Sequence, residues 1–381
     1  MKLAEKEKIR ILHCIETISS GGVEQTLLTL IKGLNKEKYE HQIICTWAGG
    51  FVEQELEKEG VKIIQLGAFR RAIEIRKLVK VIQAVKAYNP HIIHGGVFEG
   101  MTMATFGGIF GRVPVVILEE TSDPQNRSKK ANYLLKLYSL FADMVQAISA
   151  EVGEYLIKVT KVKKNKVIVI PNGVDQPKIS NRKEVQLFKE KYGIRPEEIV
   201  IGFVGRLFND HKRVTDLIEA VSVLSLQNLK LLIVGDGKDL GQIVEKVKEL
   251  ELEKIVIFTG YQPDTNSFYE MMDILCIPSS REGFGLVAVE GMLHKLPIVA
   301  TKVGGLQKVV KDKETGFVVP SFSPESISNK LSVLIADKEL RIKMGEAGFT
   351  RAKENYSSER YCLEIEKLYL GTLEKKGKFY S

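Results

Sequence analysis

The sequence predicts an α/β protein of two domains, each a parallel sheet with helices on both faces. Three observations carry this. At 381 residues the chain exceeds what one hydrophobic core usually holds. Short apolar runs alternate with amphipathic helical stretches from residue 9 to residue 170, and the alternation starts afresh at residue 199. Between the two series lies Pro171-Asn172-Gly173-Val174-Asp175 followed by a polar run, the composition of a turn and a connection.

In the first series the expected strands are residues 9–15, 42–47, 61–66, 91–94, 113–118, 144–147 and 167–170. Among the stretches between them, Leu78, Val79, Val81, Ile82 and Val85 have the spacing of a helix packed on a sheet. In the second series they are 199–204, 229–234, 255–258, 274–277 and 297–300, with 316–319 as an edge. Helical patterns close the chain at 325–335, 340–354 and 359–373. Repeated βα units imply parallel pairing, so each series reads as a Rossmann-like domain. The expected division is 1–176, 177–357 and a terminal segment 358–381. Two such domains on a hinge leave a cleft, a natural place for two substrates.

Composition narrows the function. Hydrophobic residues at 44% and charged residues at 27% mark an ordinary globular protein, neither disordered nor embedded in a membrane. The four cysteines are scattered, with no CxxC pair, which fits reduced core thiols in a cytosolic protein. Residues 1–10 are charged and lack an apolar signal core, and 101–118 are broken by Arg112 and Pro114, so neither secretion nor a membrane span is expected. The net charge of +8 lies almost wholly in residues 1–180, which carry +7. Such a basic half suits a phosphate-bearing partner or an anionic membrane surface, and equally a solvated face. Its candidate membrane contacts are Arg127, Lys129, Lys130 and the lysines at 158, 161, 163, 164 and 166. No aromatics interleave these cations as base stacking requires, so nucleic acid is not an expected partner. The expected location is the cytoplasm, with peripheral attachment to the inner face of the cell membrane.

Chemistry concentrates at strand ends. Ser19-Ser20-Gly21-Gly22 precedes a helical run from about residue 24, where free amides and the helix dipole suit an oxyanion such as a diphosphate. Gly-Gly turns are common, and this one is not GxGxxG. Gly205-Arg206 ends another strand, and Lys212 follows just ahead of a helical run over 214–225. Two cations there could hold a diphosphate and neutralise a departing phosphate, or be surface cations. Tyr261, after Gly260, offers a resting place for a base or packs on its own domain. Pro278-Ser279-Ser280-Arg281-Glu282-Gly283-Phe284-Gly285-Leu286 then leads into a helix bearing Glu290. Glycines around Phe284 admit a ligand close to the backbone, and a carboxylate matches donors such as sugar hydroxyls. Singly, Glu282 and Glu290 read as well as solvated carboxylates. No Asp-x-Asp occurs and the histidines lack ligand spacing, so no metal site is expected.

In this order and spacing the motifs resemble the retaining glycosyltransferases of the GT-B fold that carry a Glu-x7-Glu motif, the family 4-like type that builds bacterial surface polysaccharides. The matching pieces are Gly21-Gly22, Pro171 to Asp175, Gly205-Arg206 with Lys212, Glu282 through Glu290, Gly304-Gly305 and Thr315-Gly316-Phe317. The resemblance implies two Rossmann-like domains facing each other across a cleft, with the final helix crossing back to the first. It implies that Glu282 binds the donor sugar's hydroxyls and Glu290 the ribose. Arg206 and Lys212 would hold the diphosphate, Gly21 and Gly22 would close over it, and backbone around Gly283, Phe284, Gly285 and Leu286 would face the phosphates. The base would lie near Tyr261. One departure is Glu120, in Glu119-Glu120-Thr121-Ser122-Asp123, at the place where many members carry a histidine. The implied reaction is metal-independent transfer, without a cofactor, from a nucleoside diphosphate sugar, UDP-sugar first, to a hydroxyl of a glycan or lipid-linked acceptor. A GT-B phosphorylase, a nucleotide-sugar epimerase and a non-catalytic nucleotide-binding subunit are the rival readings. A nicotinamide oxidoreductase shares the sheet but lacks its glycine fingerprint here.

Overall fold

The computed structural model describes residues 7–71, 73–121, 127–178, 180–224 and 227–377. Ser122, Asp123 and Ser225, which figure in the expectations above, lie outside them, as do residues 1–6 and 378–381. The chain divides into two compact units, one of residues 1–175 with 358–381 and one of residues 176–357.

The first unit holds a seven-stranded sheet. Its strands are β1 (Ile9–Ile18), β2 (Tyr39–Ala48), β3 (Lys62–Gln65), β4 (Ile92–Gly96), β5 (Val115–Glu120), β6 (Met144–Ala147) and β7 (Val167–Val169), in the order β3-β2-β1-β4-β5-β6-β7. The second unit repeats the plan with β8 (Ile199–Val204), β9 (Leu229–Val234), β10 (Val256–Phe258), β11 (Ile274–Ile277), β12 (Ile298–Thr301) and β13 (Gly316–Val319), ordered β10-β9-β8-β11-β12-β13. Every named strand pair is parallel. In each sheet the order reverses once, between β1 and β4 and between β8 and β11. Chains leaving those two strands diverge to opposite faces and open a crevice at the strands' carboxyl ends.

The strands are apolar because both faces are covered. Ile11, Leu12, Ile92, Ile93, Ile117 and Leu118 are wholly buried, as are Ile201, Leu231, Leu232, Ile274, Leu275 and Val299. The helix Val97–Gly111 has no polar stripe, since it lies against β1, β4, β5 and the helix Ile75–Tyr88 at once. β5 departs from the expected 113–118. Pro114 has no N–H to donate, so the ladder begins at Val115, and Glu119 and Glu120 extend it by pairing with Gly96 and Ala147. The helix Arg182–Lys191 opens the second unit on a capping box, with Asn181 and Glu184 each satisfying the other's backbone N–H.

The last helix, Ser358–Lys375, belongs to the first unit. Its Tyr361, Ile365, Leu368, Tyr369 and Leu373 join Ile9, Ile11, Leu30, Tyr39, Ile92 and Val115 in one apolar cluster. Under this cover lie three histidines. His94 Nδ1 pairs with the Tyr369 hydroxyl at 2.7 Å, and His13 Nε2 pairs with His41 Nδ1 at 3.0 Å. Burial drives all three imidazoles toward the neutral form, holding His41 and His94 at a pKa of about 4 and His13 well below its ordinary value.

Two predictions follow from this cover. Tyr369→Ala removes a fully buried ring and should cost about 3–5 kcal/mol, while Tyr369→Phe, which strands His94 Nδ1, should cost about 1–3 kcal/mol, both read by urea denaturation of the full chain. The second concerns acid. With folded pKa values below the unfolded value of about 6.5, the histidines stabilise fully above pH 6.5 and lose that contribution as pH falls toward 4. Replacing His94 by Gln should flatten that acid limb; an unchanged stability profile between pH 4 and 6.5 would refute the assignment.

Candidate active site

At the reversal in the second unit, β8 runs into Gly205, Arg206 and the short helix Asn209–Lys212, and β11 into residues 278–285 and the helix Leu286–Leu293. Three contacts sew these loops together. The Ser280 N–H donates to the His211 carbonyl at 2.8 Å and its hydroxyl to the Asp210 carbonyl at 2.7 Å. Lys212 Nζ donates to Glu282 Oε2 at 2.7 Å, with both side chains about four-fifths covered. A charge pair so desolvated is much stronger than one on an open surface.

Arg206 is exposed at the same edge. Burial, and then the cations Arg281, Lys212 and Arg206, hold the His211 imidazole below its ordinary pKa against the pull of Asp210. Three positive side chains therefore converge on one strand-end loop, with one glutamate among them. The arrangement suits an anion that also carries hydroxyl donors.

The loop holding Glu282 is rigid for identifiable reasons. Gly305 N–H donates to the Glu282 carbonyl at 3.2 Å. Gly285, at φ +105°, starts the next helix in the left-handed region, and a Cβ there would press on Leu306. Phe284 is buried and meets Tyr356 edge to face at 5.5 Å, so its ring anchors the turn from below. Gly283 sits half-buried between Glu282 and that anchor. Glu290 lies within the helix, half-buried by area yet closely surrounded. It accepts from the Tyr269 hydroxyl at 2.5 Å, and burial lifts its pKa while that hydrogen bond draws it down. His294 stacks on Tyr269 at 4.9 Å, and its Nδ1 lies 2.8 Å from the Glu290 carbonyl.

Tyr261 is half-exposed. Its loop is stitched to the others, since Gly235 N–H donates to the Gly260 carbonyl and Gly205 N–H to the Val234 carbonyl, each at 3.0 Å. Gly235 takes φ +139°, where a side chain would strike the Gly205 carbonyl oxygen. The strand-end loops of β8, β9 and β10 thus lie edge to edge, and Arg206, Lys212, Glu282, Gly283, Phe284, Gly285, Leu286, Glu290 and Tyr261 all belong to one unit.

In the first unit, Gly21 is the N-cap of the helix Gly22–Gly33 and offers no side-chain cap. Glu24 folds back over Gly21 and accepts from the Thr17 hydroxyl at 3.0 Å, a feature the glycine pattern did not reveal. Glu120 is fully buried, and the Arg127 guanidinium grips both of its oxygens, one at 2.9 Å. Its carboxylate thereby ties the end of β5 to the segment after it. The neighbouring Glu119 faces a cavity of about 30 Å³, large enough for one water, with His13, His94, Asn172 and Tyr361. Burial, with the Glu120 charge beside it, pushes the Glu119 carboxyl up to about 7. Glu119 was visible in the sequence only as the residue before Glu120. Among the described residues no helix is long and apolar enough to cross a membrane.

Comparison with known proteins now bears on this geometry. Residues 20–176 match the model of Glycosyltransferase Family 4, and residues 184–351 match that of Glycosyl transferases group 1. N-acetyl-alpha-D-glucosaminyl L-malate synthase of Bacillus anthracis is 32% identical over 65% of this chain, and the match spans 65% of that enzyme, just under two thirds. The capsular polysaccharide biosynthesis glycosyltransferase CapM of Staphylococcus aureus is 28% identical over 80% of this chain and 83% of its own. Among solved structures, HepE of Anabaena in complex with UDP-glucose superposes with a TM-score of 0.85 at 20% identity, covering 94% of this chain and 98% of that one. A glycosyltransferase of Rickettsia africae gives 0.84 at 22% identity, over 96% and 99%. With a parallel sheet in each unit and a family model matched to each, the chain belongs to the glycosyltransferases of the GT-B fold, family 4 in its first unit and group 1 in its second.

Proposed function

We propose that the protein transfers a sugar from a nucleoside diphosphate sugar to a hydroxyl of a glycan or lipid-linked acceptor, with retained anomeric configuration and without a metal. The observation that carries this is the Lys212–Glu282 pair, which spans the two loops at the reversal of the second sheet with Arg206 and Arg281 beside it. When donor enters, the pair parts. Lys212 and Arg206 turn to the diphosphate, and Glu282 accepts from hydroxyls of the sugar. The glycosidic C–O bond then breaks toward the diphosphate, whose growing charge these cations stabilise, and the acceptor hydroxyl attacks the same face of the sugar, its proton passing to the departing diphosphate oxygen. Glu290, fixed by Tyr269, accepts from the ribose, and the base rests near Tyr261.

Relatives favour a uridine nucleotide, since HepE of Anabaena is described with UDP and with UDP-glucose. They favour a saccharide acceptor through CapM, described for capsular polysaccharide biosynthesis. Charge neutralisation by side chains suits the absence of any Asp-x-Asp in the sequence, and no cofactor is invoked. One observation keeps a binding-only reading open. Glu120 stands where many members carry histidine, and Arg127 holds its carboxylate.

Lys212→Ala or Glu282→Ala should each lower turnover by about 10²–10³-fold with the thermal midpoint nearly unchanged. Transfer near the wild-type rate by either variant would sink the assignment. UDP and UDP-sugars should raise the melting temperature, with a stabilisation of about 2.7 kcal/mol at a concentration of 100 times Kd. Turnover should survive a chelator; loss of transfer with EDTA, restored by Mg²⁺, would overturn the metal-free mechanism.

A further inference from the structure

The helix Lys129–Phe141 is unusual for an amphipathic element. Its inner face buries Leu135, Tyr138 and Ser139 against the first unit. Its outer face is also apolar. Tyr133 is 68% exposed, Leu140 55% and Phe141 52%, with Leu137 beside them. Positions 133, 137, 140 and 141 follow the i, i+4, i+7, i+8 spacing, so they form one continuous stripe. On the neighbouring helix Val97–Gly111 the exposed Phe110 stacks on Phe106, whose ring meets the buried Tyr138 of the inner face edge to face.

The charges on the helix itself have one sign. Lys129, Lys130 and Lys136 are exposed on the stripe's flanks, and the thirteen residues of the helix contain no Asp or Glu. Lys166 contributes differently, with its ammonium turned in to the carbonyls of Ser139, Leu140 and Ala142 at the helix C-terminus. Lys158, for its part, pairs with Glu154. Among the described residues of the first unit, this helix combines lysines that pair with no carboxylate and a row of exposed rings and leucines.

We infer that this face docks in the plane of an anionic lipid bilayer, its rings and leucines entering the headgroup boundary and its lysines meeting lipid phosphates. Apolar burial together with attraction to anionic lipid is the combination that holds an interfacial helix. A second copy of the chain fits the same stripe poorly. A twofold contact would bring the three lysines of each copy together, and the helix has no carboxylate to answer them. The inference stands on the first unit alone and does not depend on the sugar-transfer reading, because the assay needs no donor.

The test is co-sedimentation of the full chain with vesicles of phosphatidylcholine and with vesicles of equal parts phosphatidylcholine and phosphatidylglycerol. The wild type should pellet with the anionic vesicles and be released only in part by salt, which screens the lysines and leaves the apolar contribution. Lys129→Gln, Lys130→Gln and Lys136→Gln should each weaken partitioning about fivefold. The double variant Leu137→Ser, Leu140→Ser should weaken binding in high salt as well as low. These side chains are exposed, so unchanged thermal midpoints are expected and serve as the folding control. No pelleting of the wild type with anionic vesicles at low salt would overturn the proposal, as would variants that pellet like wild type. A dimer in light scattering that the double leucine variant dissolves would also overturn it, by assigning the stripe to a second copy.

Discussion

The constraint on which both units depend is parallel pairing of strands. A parallel neighbour can be reached only by a crossover that carries the chain back along the sheet, and in these units the crossovers are chiefly helical. Every strand then releases its carboxyl end to the same side, and both sheet faces are buried under helices. Polar groups that act on a ligand are displaced to the strand-end loops. Arg206, Lys212, Tyr261 and Glu282 sit on three such loops of one sheet, 76 residues apart in sequence from first to last, because the sheet gathers its exits.

Much of the fold could be read from the sequence because burial on both faces leaves a strong mark. Runs such as Leu229–Val234 and Ile274–Ile277 are apolar throughout, and they are strands. Where the pattern weakened, so did the reading. β1 runs three residues past its apolar centre at its end and β2 begins three residues before its own, since the two strands pair with each other from Ile9 opposite Tyr39 to Ile18 opposite Ala48. The end of β5 was hidden by two glutamates, which a periodicity argument assigns to a loop and which backbone pairing keeps in the sheet.

The site was legible as residue types but not as contacts. Sequence spacing put Lys212 and Glu282 in different motifs; the sheet makes them partners at 2.7 Å. The sequence marked Phe284 only as backbone beside a ligand; its ring is the buried anchor of the turn against Tyr356. His94, at the end of its strand in the sequence, is buried with Tyr369 from the far terminus. Tyr269 and Glu119 escaped notice, because a buried hydroxyl on a carboxylate and a carboxyl lifted by its surroundings leave no local signature. Such partnerships are tertiary, and only the packed chain reveals them.

The closing helix has a consequence for how the molecule is made. Its residues, 358–375, supply the lid on a core whose other walls were synthesised first. As the chain emerges from the ribosome, the segment 176–357 is complete and continuous before the lid exists, while the sheet begun at Ile9 waits with its apolar face uncovered. The usual order, in which the N-terminal domain finishes first, is therefore inverted. The first unit is the last to be sealed.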